Sequence, residues 1–327
     1  MHVLITGAAG MIGRKLTAQL TSLGGVNGRA IERMTLTDIV PPDAPAGAPF
    51  PVTATANDLS APGAAGRAVA SRPDLIFHLA AVVSGEAEAD FDKGYLVNLD
   101  GTRALLEAIR LAGGGYRPRM VFASSIAVFG APFPETIPDD LFLTPLTSYG
   151  TQKACCELLL ADHVRRGFLD GVGIRLPTIV VRPGAPNKAA SGFFSAIIRE
   201  PLSGMEAVLP VSEDVRHWFA SPRAAVGFLL HAASLSRDAV GARVNLTMPG
   251  LCCTVGEEIA ALGRVAGPRA TARIRRAPDA VIARIVAGWP QSFEASRAAA
   301  LGFQADTSFD DIVTAHIEDE LGGRIAA

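Results

Sequence analysis

Charge is scarce in this chain. Charged residues make up 19% of the 327 positions and the formal net charge is -2, so no basic field is present to hold a nucleic-acid backbone or an anionic membrane surface. Long apolar runs are also missing. None reaches the roughly 20 residues that a bilayer span requires, and the stretch from Val281 to Trp289 is interrupted by Arg284. Only four cysteines occur, as the adjacent pairs Cys155-Cys156 and Cys252-Cys253. That spacing suits neither a zinc site nor a disulfide framework, and it predicts reduced thiols in a cytoplasm. Asp-rich segments are absent, so no metal site is predicted. No charged leader with a cleavage site precedes the first apolar stretch, which predicts no signal peptide.

Glycine, by contrast, sits in a telling place. Residues 2–6, HVLIT, read as a buried strand; Gly7-Ala8-Ala9-Gly10-Met11-Ile12-Gly13 follows as a GxxGxxG loop opening a helix through about Leu23. Glycines permit the tight turn and let backbone approach a pyrophosphate, which then faces the helix N-terminus. Gly7, Gly10, Met11, Ile12 and Gly13 are therefore candidate dinucleotide contacts; the alternative is a turn that merely joins strand to helix. The next strand, 34–37, ends in Asp38. A carboxylate there accepts ribose hydroxyls and repels a 2′-phosphate, which points to NAD rather than NADP. The alternative is a solvated turn aspartate ahead of the proline-rich loop 41–51. A third strand over 52–55 leads to Asp58 and Leu59, set against the adenine, or with Asp58 capping a helix. A fourth, buried strand covers 74–81 and opens into a small-residue loop. Ligands of doubly wound sheets lie outside such carboxyl ends, so Ala80, Ala81 and Ser84 are placed along dinucleotide and substrate. His78, inside that strand, reads as a satisfied core residue.

A long helix is predicted over 90–112, with the polar Asn98 bridging helix backbone and an active-site water. The fifth strand, 120–125, ends in Ser124 and Ser125. A loop containing Pro132, Pro134, Pro138 and Pro145 follows, then a helix to about Val164 that carries Tyr149-Gly150-Thr151-Gln152-Lys153. On a helix, Tyr149 and Lys153 share a face one turn apart. A phenol, with a reference pKa of about 10, is a poor base, and a neighbouring ammonium stabilises its anion. YxxxK alone is a weak pattern. A strand-end serine, a phenol and an ammonium converging on one point are far more specific. A sixth strand is predicted over 174–181, then Arg182-Pro183-Gly184, a polar lead-in over 187–194 to a short helix, and helices around 222–233, 254–265 and 278–286.

In this order GAAGMIG, HLAAVVSG, the Asn98 helix, SSIAVFG and YGTQK resemble the extended short-chain dehydrogenase/reductase superfamily, in its NAD-dependent epimerase/dehydratase branch. The likeness spans essentially the whole chain. It implies an α/β fold, a Rossmann-type doubly wound parallel sheet with a smaller C-terminal substrate lobe. Residues 1–183 would form the NAD-binding domain and 184–327 mainly the substrate lobe, interleaved with returns to the sheet. The resemblance also implies NAD held at Gly7, Gly10 and Gly13 with Asp38 on the ribose, and a catalytic set of Ser125, Tyr149 and Lys153. Lys153 would in addition hold the nicotinamide ribose, Ser124 would line the cofactor, and Pro183 would lie between cofactor and substrate. Ser84, Asn187 and Arg216 are the expected substrate contacts beside Ser125 and Tyr149.

Dehydratases of this branch commonly need an added acid and base beside the serine, and Glu135, Asp139 and Asp140 do not occupy that position. The segment NKAASGFF also departs from what a nucleotide sugar would require. The resemblance therefore implies NAD-dependent oxidation of a small hydroxy acid, with no membrane or nucleic acid as partner. A nucleotide-sugar epimerase and an L-threonine dehydrogenase-like activity are the alternatives. A homodimer through the Asn98 and Tyr149 helices is implied by likeness alone. An NAD-binding regulator without turnover would have no need of the full Ser–Tyr–Lys set.

Overall fold

Residues 1–184 and 191–326 are described in the structure, a computed structural model. They fall into two compact units, each discontinuous in sequence. Met1–Val128, Pro145–Leu176 and Val226–Thr247 form the first; Phe129–Thr144, Pro177–Ala225 and Met248–Ala327 form the second. The sequence places its boundary at 183/184, with returns to the sheet beyond it.

The first unit is built on seven strands: β1 (His2–Thr6), β2 (Arg33–Asp38), β3 (Val52–Ala56), β4 (Leu75–His78), β5 (Arg119–Ser125), β6 (Asp170–Leu176) and β7 (Asn245–Thr247). They lie in the order 3-2-1-4-5-6-7 and every pairing is parallel. This is the doubly wound Rossmann arrangement, whose strand order reverses beside β1. β1 and β4 are buried along their whole length, as strands covered on both faces must be. Helices α1 (Met11–Leu23), α2 (Ala64–Val69), α3 (Gly101–Leu111) and α4 (Ser148–Arg165) flank the sheet. α1 stops at Gly24, which is left-handed at φ 64° and returns its N–H to the Leu20 carbonyl.

Three expectations need correction. The fourth strand ends at His78, not Ala81. Leu79 still donates its N–H to the Thr6 carbonyl at 3.0 Å, and beyond it the chain passes close to Gly7, where an added Cβ would stand 2.5 Å from the Ala80 nitrogen. The helix expected over 90–112 is broken by a π-turn at Tyr95–Asp100, between the short helix Phe91–Gly94 and α3. The sixth strand runs over 170–176, because Pro177 has no N–H to extend the ladder; Thr178–Ile179 instead pairs with Phe219 and Ala220 in the second unit.

That unit holds a three-stranded sheet, with Arg216–Ala220 parallel to Thr178–Ile179 and antiparallel to Leu251–Thr254. A second, two-stranded sheet pairs Ala207–Leu209 with Ile274–Arg276. Its core collects Phe194, Ile197, Ile198, Phe219, Leu262 and Ile312, contributed largely by the helices Gly192–Leu202, Val255–Ala266 and Phe309–Leu321. The second of these starts with a capping box, Thr254 and Glu257 each bonding the other's backbone N–H. Among the described residues no helix is long and apolar enough to cross a membrane, no group of three potential ligands could hold a metal, and all four cysteines are free.

Candidate active site

β1 delivers the glycine loop. Gly7 takes φ +76°, a conformation that side chains other than glycine rarely adopt. A Cβ on Gly13 would collide with the Gly7 carbonyl, so this glycine lets α1 sit directly on the turn. α1 begins at N-cap Gly10 with no side chain capping it. The N–H groups of its first turn, Met11 and Ile12 among them, lack intrahelical acceptors and point to where an anion is favoured. At the end of β2, Asp38 accepts the Ala9 N–H on Oδ2 at 2.9 Å and the Ile39 N–H on Oδ1 at 2.7 Å. Those bonds fix the carboxylate beside the loop, and each oxygen retains a lone pair for a hydroxyl. A bare helix start with a fixed carboxylate beside it fits the pyrophosphate and ribose of NAD. These residues would hold the dinucleotide.

Asp58 closes a turn rather than capping a helix: its Oδ1 accepts the Ser60 N–H and Oγ–H at 2.9 and 2.6 Å. Leu59 is buried against Gly101 of α3, where an added Cβ would lie 3.7 Å from the Leu59 Cβ. Ala80 and Ala81 follow the end of β4 at the surface, and Ser84 opens the short helix Ser84–Ala89. His78 is buried and bonded to Thr6 and Thr102. Burial pushes its pKa down to about 3, so the ring is neutral. It is a core residue.

The catalytic candidates meet between β5 and α4. Ser125 ends β5, and its Oγ accepts the Ala127 N–H at 3.1 Å in the 3-10 turn that follows. α4 is capped twice at its start. The Thr147 Oγ1 accepts the Gly150 N–H at 3.0 Å, and Glu88 accepts the Ser148 N–H at 3.0 Å. One residue past Tyr149, a Cβ on Gly150 would strike the Ala127 carbonyl, so α4 touches the chain just after Ser125. One turn on, Lys153 Nζ donates to the Ala123 carbonyl at 2.8 Å, just before Ser125. The two contacts bracket Ser125 and bring the Tyr149–Lys153 face of the helix onto it. The Lys153 ammonium lies 5.7 Å from the Tyr149 ring centroid and 4.8 Å from that of Phe122. Burial pulls its pKa down to about 8, against the raising influence of Cys156 and Glu157. It therefore remains protonated at neutral pH, as stabilisation of a phenolate requires.

The side chains of two expected cofactor contacts are engaged with the protein. Ser124 is buried and donates its hydroxyl to Glu157 at 2.6 Å, leaving only its backbone for the cofactor. Asn98 is 2% exposed. Its side chain bonds Val82 and Gln152, and its carbonyl accepts from Thr102 Oγ1 and Cys156 Sγ. Arg216 begins its strand in the second unit, exposed, with Nη1 donating to Cys252 Sγ at 3.9 Å. Pro183, half-buried, belongs to the same unit. Asn187 lies outside the described residues. Sequence reasoning missed Glu88, Gln152 and the Glu157–Arg175 ion pair. Glu157 stood in view one turn beyond Lys153, but its partner is set by the fold.

Comparison with known proteins agrees with this geometry. Residues 3–246 match the NAD dependent epimerase/dehydratase family. The chain is 48% identical to the D-erythronate dehydrogenase of Cupriavidus necator, covering 98% of both chains. It is 41% identical to that of Haemophilus influenzae, covering 98% of this chain and 100% of the relative. A crystal structure of a nucleoside-diphosphate-sugar epimerase from Agrobacterium tumefaciens superposes with a TM-score of 0.97 at 63% identity, over 100% of this chain and 96% of that one. The chain belongs to the NAD-dependent epimerase/dehydratase family, as an NAD-dependent dehydrogenase.

Proposed function

We propose that the chain oxidises the C2 hydroxyl of a small sugar acid, with D-erythronate as substrate and 2-dehydro-D-erythronate, the 2-oxo acid, as product. The observation that carries the substrate is the likeness to D-erythronate dehydrogenase, 48% identical across 98% of both chains. The meeting of Ser125, Tyr149 and Lys153 supports the chemistry. NAD, when bound, supplies the hydride acceptor. Tyr149 takes the hydroxyl proton as the C2 hydrogen leaves with its electron pair and the C2–O bond becomes double. Ser125 orients the hydroxyl, and the Lys153 ammonium stabilises the phenolate and holds the ribose. Ser84, Asn187 and Arg216 receive the carboxylate and remaining hydroxyls, Arg216 through its guanidinium fork.

The test is NADH formation from NAD with D-erythronate, and with L-threonate and L-threonine alongside. Turnover with D-erythronate alone is the expected result; NADH from none of the three would sink the proposal. Tyr149→Phe should lower turnover by roughly 10²- to 10⁴-fold, the usual worth of a positioned base, with NAD binding intact. One observation favours a second reading: the 63% identical structure is of a nucleoside-diphosphate-sugar epimerase. NAD that stays with the protein through purification, together with interconversion of a uridine-diphosphate sugar, would select that reading. Activity with L-threonine would instead select the threonine dehydrogenase-like alternative. A homodimer belongs to the same proposal, supported by Leu96 and Leu158, which are 48% and 66% exposed near Asn98 and on the Tyr149 helix; Leu158→Glu should give a monomer in sedimentation.

A further inference from the structure

Gln152 stands between Tyr149 and Lys153 in sequence and is wholly buried. Its Oε1 accepts a hydrogen bond from Asn98 Nδ2 at 2.8 Å. Asn98 in turn accepts the Val82 N–H on Oδ1 at 2.9 Å and donates to the Val82 carbonyl at 3.2 Å. These bonds determine both amide orientations. Oδ1 must meet the Val82 N–H, so Nδ2 faces Gln152, and Gln152 must answer with oxygen. The consequence is a buried Gln152 Nε2 with no hydrogen-bond partner. It lies against Gly94, where a Cβ would come within 2.7 Å of it. A buried donor left unpaired costs free energy, and an apolar side chain of similar size would avoid that cost. What only the glutamine provides is the acceptor for Asn98.

We propose that Gln152 is a positioning residue for the reaction. Through Asn98 it fixes the segment Val82–Ser84 against the turn of α4 that carries Tyr149 and Lys153. The proposal rests on the reading of that pair as catalytic. The surroundings are built for the purpose. Asn98 lies in the π-turn Tyr95–Asp100, and such turns re-aim side chains at functional sites. Its carbonyl is held by Thr102 Oγ1 at 2.7 Å and by Cys156 Sγ at 3.2 Å, the latter from α4 itself. A second tie joins the same two segments, from the Ser148 N–H to Glu88. Ser84, a substrate contact in the proposed reaction, thus stands on a segment attached to the catalytic helix at both ends.

Gln152→Met and Gln152→Glu test the proposal on the full-length protein, with D-erythronate and NAD as substrates and NADH binding used to count competent sites. Met keeps the volume and removes the acceptor. It should lower kcat per NADH-binding site by about tenfold or more and raise KM for the acid, while KM for NAD stays within about twofold, because a small misplacement falls on the reacting groups. Glu, held neutral by burial, keeps an acceptor oxygen towards Asn98; kcat should stay within about threefold of the parent. Should Gln152→Met fail to fold, Gln152→Leu, which likewise lacks the acceptor, is read in its place by the same criteria. Parental kcat per site in the Met variant would overturn the proposal, as would a Glu variant as impaired as Met. Fewer NADH-binding sites at unchanged kcat per site would assign Gln152 to folding alone and also overturn it. Tyr149→Phe in the same assay separates the two ideas. If it turns over normally, the catalytic reading fails and the positioning role with it; if it is inactive while Gln152→Met is unimpaired, only the positioning role falls.

Discussion

The two units each bury a glutamate completely, and treat it in opposite ways. Glu157, in the first, is 0% exposed, yet its carboxylate accepts from Arg175 Nε and Nη2 at 3.0 and 2.8 Å and from Ser124 Oγ at 2.6 Å. Arg175 continues to Thr247 Oγ1 at 3.3 Å. Glu258, in the second unit, is also 0% exposed, and neither of its oxygens has a hydrogen-bond partner. Burial drives its pKa well above the ordinary carboxylate value. A buried charge is tolerated where geometry supplies counter-charge and donors, and is otherwise removed by protonation. The paired glutamate stands one turn beyond Lys153, and its network ties α4 to β5, β6 and β7. Polar burial in the first unit braces the helix that carries Tyr149 and Lys153. In the second, Glu258 has no such network.

Removing one partner from the paired site should cost most. Glu157→Leu leaves Arg175 buried without its counter-charge, and stability should fall by about 3–5 kcal/mol; chemical denaturation measures it, and a loss near zero would mean that the ion pair is dispensable. The converse holds for the lone carboxyl. Glu258→Leu should gain about 1–3 kcal/mol, the cost of leaving such groups unpaired. A loss instead would show that Glu258 has a role its surroundings do not reveal. The pH dependence sharpens the contrast. The folded pKa of Glu258 is raised, so the folded state of the parent holds its proton longer; its contribution is complete below the ordinary pKa of about 4.5 and is lost as pH rises through the folded value. The advantage of Glu258→Leu should therefore grow from pH 5 to pH 8.

The histidines run the other way. Burial lowers His78 in the first unit and His217 in the second to about 3. Their contribution is present above the unfolded pKa of about 6.5 and is lost as pH falls from there towards 3. Each should add about 1.4 kcal/mol of lost stability per pH unit within that window, read as proton uptake on unfolding at pH 5. An unfolding reaction that takes up no protons at pH 5 would exclude this. His78→Gln should remove its share of that uptake and leave the slope due to His217 and to His2, which burial also lowers.

The sheet was legible because its strands are short apolar runs bounded by turn residues, and β1 and β5 lie where periodicity puts them. The placing of Ser125 at a strand end and of Tyr149 and Lys153 one turn apart was legible for a similar reason: both are local geometry. What escaped depends on partners distant in sequence. Nothing about Asn98 announces that its amide will be claimed by Val82 and Gln152, nor that the helix around it takes an extra residue per turn. Ser124 and Ser125 are neighbours of one type, and only the pleat of β5 decides that the first turns inward to Glu157. The sixth strand was misplaced because apolar content continues through Val181, whereas the ladder is governed by the N–H that Pro177 lacks.

The division of the chain into interleaved segments bears on its biosynthesis. β6 pairs with β5 on one side and with β7 on the other, but residues 177–225, which belong to the second unit, are translated between them. On a ribosome β6 therefore emerges as a bare edge and stays one until Asn245–Thr247 arrive. An apolar parallel edge without its neighbour is a template for pairing with another nascent chain. The hazard in making this protein lies in that interval, at β6, three strands along the sheet from the β1 that carries the glycine loop.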